Sequence, residues 1–176
     1  MAPTKVIAFW LVPAPSAREF FSEVIRELAE RHDAPRFEPH LTIGFGALEE
    51  ARAAEILRNL SIRETITLQI AGLEHSAKYT KTLFVQFHAT PQLEALRAEL
   101  QKATASSYEL NPHLSLLYRE MPEAARAAAA AAISIPFREV AFEFVQSIIT
   151  PIPITRPEEV EAWRTLGSRR LDTAPE

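Results

Sequence analysis

A duplicated, bilobal α+β fold is what this sequence predicts, and three observations carry it. Short alternating or wholly apolar runs, which read as strands, are interleaved with runs whose apolar residues recur at helical spacing. The tetrapeptides Pro39-His40-Leu41-Thr42 and Pro112-His113-Leu114-Ser115 are near copies, with His40 and His113 lying 73 positions apart. Around each copy the order is the same: strand, helix, polar loop, then the Pro-His-Leu-hydroxyl strand. A duplication of this kind sets equivalent strands near a shared pseudo-twofold axis. Both histidines can then face one central cleft although they are distant in sequence.

The elements follow in chain order. Lys5 to Val12 is rich in Val, Ile, Phe and Trp and reads as a buried strand, stopped by Pro13-Ala14-Pro15. Ser16 with Glu19 forms a capping-box signature, after which Phe20, Phe21, Val24, Ile25 and Leu28 share a helical face. His40 to Phe45 alternates, with His40 and Thr42 on one side and Leu41, Ile43 and Phe45 on the other. A helix from Leu48 to Leu60 precedes strands at Thr65 to Leu73 and Thr82 to His88, joined by a loop that carries Tyr79 and Lys81. Pro91 suits the first turn of a helix reaching Thr104. The second motif opens the alternating run His113 to Tyr118, and strict alternation sets Tyr118 opposite His113 unless a turn at the strand end redirects it. Pro122 to Ala132 is alanine-rich and strongly helical by propensity. Arg138 to Thr150 reads as a long strand ending at Pro151 and Pro153, and Glu158 to Leu171 as a short docked helix carrying Trp163.

Composition limits what such a fold can do. With 176 residues, 47% apolar and 24% charged, the chain suits one core, a single domain of two lobes over 1–176. A formal charge of −4 argues against a general nucleic-acid clamp, which needs many cationic side chains to neutralise phosphates. No cysteine is present, which removes disulfides, thiolate nucleophiles and Cys-based zinc sites. Neither a signal-peptide pattern nor a membrane-length apolar run is found, so a cytoplasmic protein without membrane contact is expected; a monomer is the separate expectation for its assembly.

The motifs supply the chemistry. Opening a cyclic phosphodiester with water takes two proton transfers, one from the nucleophile and one to the departing ribose oxygen. Histidine, with an ordinary pKa near 6.5, serves near neutrality as base in one copy and acid in the other. Period-two spacing sets Thr42 and Ser115 beside the imidazoles, where their hydroxyls can donate to phosphate oxygens as charge builds. Two imidazoles without a carboxylate pair make an incomplete metal set, so neither a metal nor another cofactor is expected. Tyr79 and Lys81 can close over a phosphate from their loop. His32, His75 and His88 lack a repeated hydroxyl partner and are set aside.

These paired motifs resemble those of the two-histidine (2H) phosphoesterase superfamily, in particular its plant and yeast-type cyclic phosphodiesterase branch. The resemblance rests on Phe9-Trp10-Leu11-Val12-Pro13, Phe37-Glu38-Pro39-His40-Leu41-Thr42-Ile43 and His113-Leu114-Ser115-Leu116-Leu117-Tyr118, with parts in matching order up to about Thr150. It implies a bilobal fold of two antiparallel-rich sheets flanking a central groove, with helices outside and the motifs facing each other across the groove, and hydrolysis of nucleoside 2',3'-cyclic phosphates or ADP-ribose 1'',2''-cyclic phosphate. It also makes Trp10 and Tyr118 contacts to base or sugar. Two alternatives remain: an enzyme acting on 2',3'-cyclic RNA ends or forming 2',5' linkages, and a non-catalytic nucleotide or RNA reader. Which histidine is base and which acid is open from the sequence.

Overall fold

The computed structural model describes residues 3–172. Strand β1 (Thr4–Pro13) leads into helix α1 (Pro15–His32), strand β2 (Leu41–Gly46) and helix α2 (Glu50–Asn59). Strand β3 (Ile66–His75), a 3-10 turn (Tyr79–Lys81), strand β4 (Leu83–Phe87), helix α3 (Pro91–Thr104), strand β5 (His113–Leu117) and helix α4 (Glu123–Ala131) follow. The long strand β6 (Glu139–Ile152), a short helix α5 (Pro157–Glu161) and strand β7 (Arg164–Arg170) complete the described chain.

The α+β class and the two sets of strands are as the sequence predicts, and hydrogen bonding runs continuously through both sets. The order is β1-β2-β5-β4-β3-β6-β7, and β1 also pairs with β6, so six strands close into a ring to which β7 is added. All strand pairings are antiparallel. The halves meet at one point through Leu41 opposite Leu114, adjacent to the two motif histidines. They also meet through β6, whose first residues pair with β3 and whose later ones pair with β1.

The apolar run in β1 is continuous because both of its faces are covered. Ile7, Phe9 and Leu11 join the main core with Phe21, Ile25, Leu41, Ile43 and Phe142. Ala8 and Trp10 point the other way and pack with Ile148, Phe45 and Trp163. Helices α1 and α3 are exchanged between halves: α1 lies over β5 and α3 over β2.

Three local expectations are corrected. Helix α1 starts at Pro15, and the methyl side chain of its N-cap Ala14 cannot accept a hydrogen bond, so the Ser16/Glu19 capping box is not used. A proline in the first turn, where the missing N–H costs nothing, decides that boundary. The segment after Glu161 is not helical, because Arg164–Arg170 adds as a strand along β6, with Phe144 opposite Arg170 and Ser147 opposite Gly167. Pro151 does not end β6, which runs on to Ile152 beside β1.

Candidate active site

Each motif is built by the same local device. Between Phe9 and Trp10, β1 advances one residue while its partner β2 moves from Gly44 to Thr42, so Ile43 is an extra residue in β2. Between Leu83 and Phe84, β4 advances one residue while β5 moves from Leu117 to Ser115, which makes Leu116 the extra residue. A β-bulge therefore sits at the same place in both copies, one residue past the hydroxyl, and it flips the later alternation. This corrects the expected faces of Phe45 and Tyr118. Ile43 is buried in the core, Gly44 faces Leu100 of α3, and Phe45 turns to the groove; likewise Leu116 and Leu117 are in the core and Tyr118 turns to the groove.

A single groove of about 280 Å³ receives His40, Thr42, His113 and Ser115 together. Trp10, Tyr118 and Lys81 also line it, whereas Tyr79 does not. The 3-10 turn presents Thr80 and Lys81 to the groove instead, leaving the Tyr79 hydroxyl buried without a hydrogen-bond partner and its ring 6.1 Å from that of Tyr118. His32, His75 and His88 lie outside the groove lining. Among the described residues, no three His, Asp or Glu side chains gather as a metal-ligand set.

The two imidazoles are held alike. His40 Nδ1 lies 2.7 Å from the Glu38 carbonyl, and His113 Nδ1 lies 2.6 Å from the Asn111 carbonyl, each two residues back. A carbonyl can only accept, so Nδ1 carries the hydrogen in both rings and Nε2 is left for proton exchange. An aromatic side chain from the neighbouring strand braces each ring at equivalent register. Trp10, opposite Thr42, stacks on His40 with centroids 3.6 Å apart and planes 14° from parallel. Phe84, opposite Ser115, meets His113 edge-on at 5.7 Å.

Their electrostatic surroundings differ. Burial lowers the His40 pKa to about 4, against the opposing pull of the Glu38 carbonyl and with further lowering by His113. His113 is also lowered to about 4, by burial first and then, against the Asn111 carbonyl, by repulsion from Lys81 and Lys78. Both rings are therefore neutral at neutral pH in the ligand-free protein, instead of sharing one proton between ordinary pKa values. Lys78 and Lys81 are the charged side chains other than histidine in the lining, which makes this groove cationic in a chain of formal charge −4. Lys81 Nζ also sits 4.2 Å above the Phe84 ring.

One hydroxyl is engaged differently from the expectation. Ser115 Oγ donates to the Thr80 carbonyl at 2.7 Å, so it must release Thr80 before it can donate to a phosphate oxygen. Tyr118 is buried, stacks on Phe37 at 4.2 Å, and has its phenol pKa raised by that burial. The sequence reading missed Lys78, Thr80, Phe84, Phe45, Tyr108 and Trp163 in or beside the groove. One of these had a signal in the sequence: Phe45 stands 73 positions before Tyr118, the offset of the two motifs.

A duplicated α+β ring with one histidine motif from each half opening on a shared groove is the 2H phosphoesterase fold. LigT of Escherichia coli superposes with a TM-score of 0.59 at 19% identity, covering 97% of this chain and 99% of that one. Its structures include complexes with 3'-AMP, NADP+, ATP and phosphate. TT0787 of Thermus thermophilus gives 0.59 at 15% identity over 94% of this chain and 97% of that one. In sequence, the chain is 24% identical over 124 residues to a cyclic phosphodiesterase of Arabidopsis thaliana, 67% of each protein. No protein-family model matches.

Proposed function

We propose that this chain hydrolyses small cyclic phosphates, nucleoside 2',3'-cyclic phosphates or ADP-ribose 1'',2''-cyclic phosphate, by two-histidine acid–base catalysis. The observation that carries the reading is the pair of equivalently tethered imidazoles, each with Nε2 left for proton exchange, lining one cationic groove. The similarity to a cyclic phosphodiesterase, and the nucleotide and phosphate complexes of LigT, support the substrate class.

In this reading His113 is the base and His40 the acid. Lys78 and Lys81 oppose a positive charge on His113, which favours its neutral form. The Trp10 ring stacked on His40 favours an imidazolium there, because an aromatic face attracts a cation. His113 Nε2 takes a proton from water as the water oxygen bonds to phosphorus. The bond from phosphorus to one ribose oxygen breaks, and that oxygen receives the proton from His40 Nε2. The product is a phosphomonoester, and proton exchange with solvent restores both rings. Thr42, and Ser115 once it leaves Thr80, donate to the non-bridging oxygens as charge accumulates. The reading requires no metal or other cofactor, since the imidazoles supply both proton transfers.

Turnover of nucleoside 2',3'-cyclic phosphate by wild type, His40→Ala and His113→Ala is the direct test. Each variant should lose on the order of 10²–10⁴-fold in kcat, the usual worth of one acid–base group. Wild-type rates in either variant would refute the reading.

A further inference from the structure

Building on the cyclic-phosphate reading above, we infer that the nucleobase of the substrate is received by Phe45 and Tyr108 at the open end of the groove, and that it is recognised by stacking with little discrimination among bases.

The pseudo-twofold relation makes the two ends of the groove comparable. Phe45 and Tyr118 each lie five residues after their motif histidine, and each packs on an aromatic ring from the loop that precedes the other motif. Phe45 meets Tyr108 at 5.3 Å and 58°, while Tyr118 meets Phe37 at 4.2 Å and 21°. The Tyr118 end is closed. Tyr118 is 5% exposed, has a face covered by Phe37, and has Trp163 edge-on at 6.1 Å. Trp10 is 4% exposed and gives a face to His40. Both residues are committed to packing, which leaves little surface on which a base could stack.

Phe45 and Tyr108 are only half-buried, both line the groove, and their rings are tilted instead of stacked on each other. Ile152 and Ile154 line the same groove and add apolar wall. Phe45 stands three residues beyond Thr42 on β2, a separation of roughly 10 Å or less along a bulged strand, so a base there remains within a nucleoside's reach of the phosphate site. The lysines belong to the half that carries His113, which suits an anionic group there and an uncharged ring at the Phe45 end.

Two side-chain hydroxyls at the open end already have acceptors. Tyr108 Oη donates to the Thr42 carbonyl at 3.5 Å, and Thr150 Oγ1 to the Pro151 carbonyl at 2.9 Å. Recognition then falls to ring faces, which every base possesses, so stacking tolerates all four.

The test is calorimetric titration of 3'-AMP, 3'-CMP and inorganic phosphate into wild type, Phe45→Ala and Tyr108→Leu. Nucleotide affinity should fall on the order of tenfold in each variant, the usual size of one lost base–aromatic stack. Phosphate affinity should change by less than about twofold, and wild type should bind the two nucleotides within about tenfold of each other. Equal losses for nucleotide and phosphate, or no loss for nucleotide, would overturn the inference. In case a variant folds poorly, wild type bound to 3'-AMP should show NMR contacts from the adenine protons to the Phe45 and Tyr108 rings. Contacts to Trp10 and Tyr118 instead would also overturn it. A wild type that binds no nucleotide removes this inference together with the reading beneath it, whereas nucleotide binding indifferent to Phe45 and Tyr108 removes this inference alone.

Discussion

His40 and His113 share one tether and one tautomer but meet different neighbours, and their neutral state sets a specific pH behaviour. Both pKa values lie at about 4 in the ligand-free protein, with burial as the largest cause. In the proposed mechanism the productive form of the pair carries one proton, so above that pH most free protein holds none. Because kcat/KM reports the free enzyme, it should be greatest near pH 4 and fall towards neutrality. A bound phosphodiester anion attracts a proton and raises the imidazole pKa, so kcat should persist to a higher pH than kcat/KM. Steady-state profiles over the acidic and neutral range check this, and superimposable profiles for the two parameters would contradict it. The residues of the pair were legible from the repeated tetrapeptide alone. Their depressed pKa values were not, because burial and the approach of Lys78 and Lys81 from another loop are properties of the folded chain.

Strands and helices were legible wherever period and propensity agreed, as in α3, whose predicted limits Pro91 and Thr104 are the observed ones. They were misread where the signal was weak or local. β7 is polar on much of its length, Arg164 to Arg170, and only its pairing with β6 makes it a strand. The bulges left no mark in the alternation, since Ile43 and Gly44, like Leu116 and Leu117, all suit a covered face, and so Phe45 and Tyr118 were assigned to the wrong side or left in doubt. The bulged end of β2 depends on close approach to α3. A Cβ on Gly46 would lie 3.0 Å from Thr104 Cβ and 3.1 Å from the Thr104 carbonyl oxygen. A backbone oxygen cannot swing aside as a side-chain tip can, so Gly46→Ala must displace the end of α3 or of β2. Overpacking of this kind costs about 1–3 kcal/mol. Urea denaturation should show a lower midpoint with an unchanged slope, and a variant as stable as wild type would mean that the contact relaxes freely.

At the scale of the whole molecule, the duplication is expressed as exchange: α1 covers β5, α3 covers β2, and each pre-motif loop supplies a ring to the opposite motif. The sequence repeat announced two halves, but which half would cover which strand depends on contacts between residues far apart in the chain, and no local period encodes them. This arrangement encloses the groove tightly enough to keep an imidazole neutral, and the consequence reaches global stability. For His40 the folded pKa of about 4 lies below the ordinary value of 6.5. Between those values the unfolded chain binds a proton that the folded chain refuses, so stability rises with pH across that window. The contribution is complete above about pH 6.5 and is lost as pH falls towards 4. For His40, only 6% exposed, the upper limit is roughly 3 kcal/mol; half-exposed His113 acts in the same direction with a smaller effect. His40→Asn keeps a donor placed for the Glu38 carbonyl and removes the titration. Comparing unfolding free energies at about pH 7 and pH 4.5, wild type should lose more stability than the variant, by about 1–3 kcal/mol. Carboxylates that titrate in the same window affect both proteins alike and cancel in the comparison. Equal losses would mean that His40 accepts its proton as readily in the folded chain as in the unfolded one, and the neutral pair on which the pH profile rests would not exist.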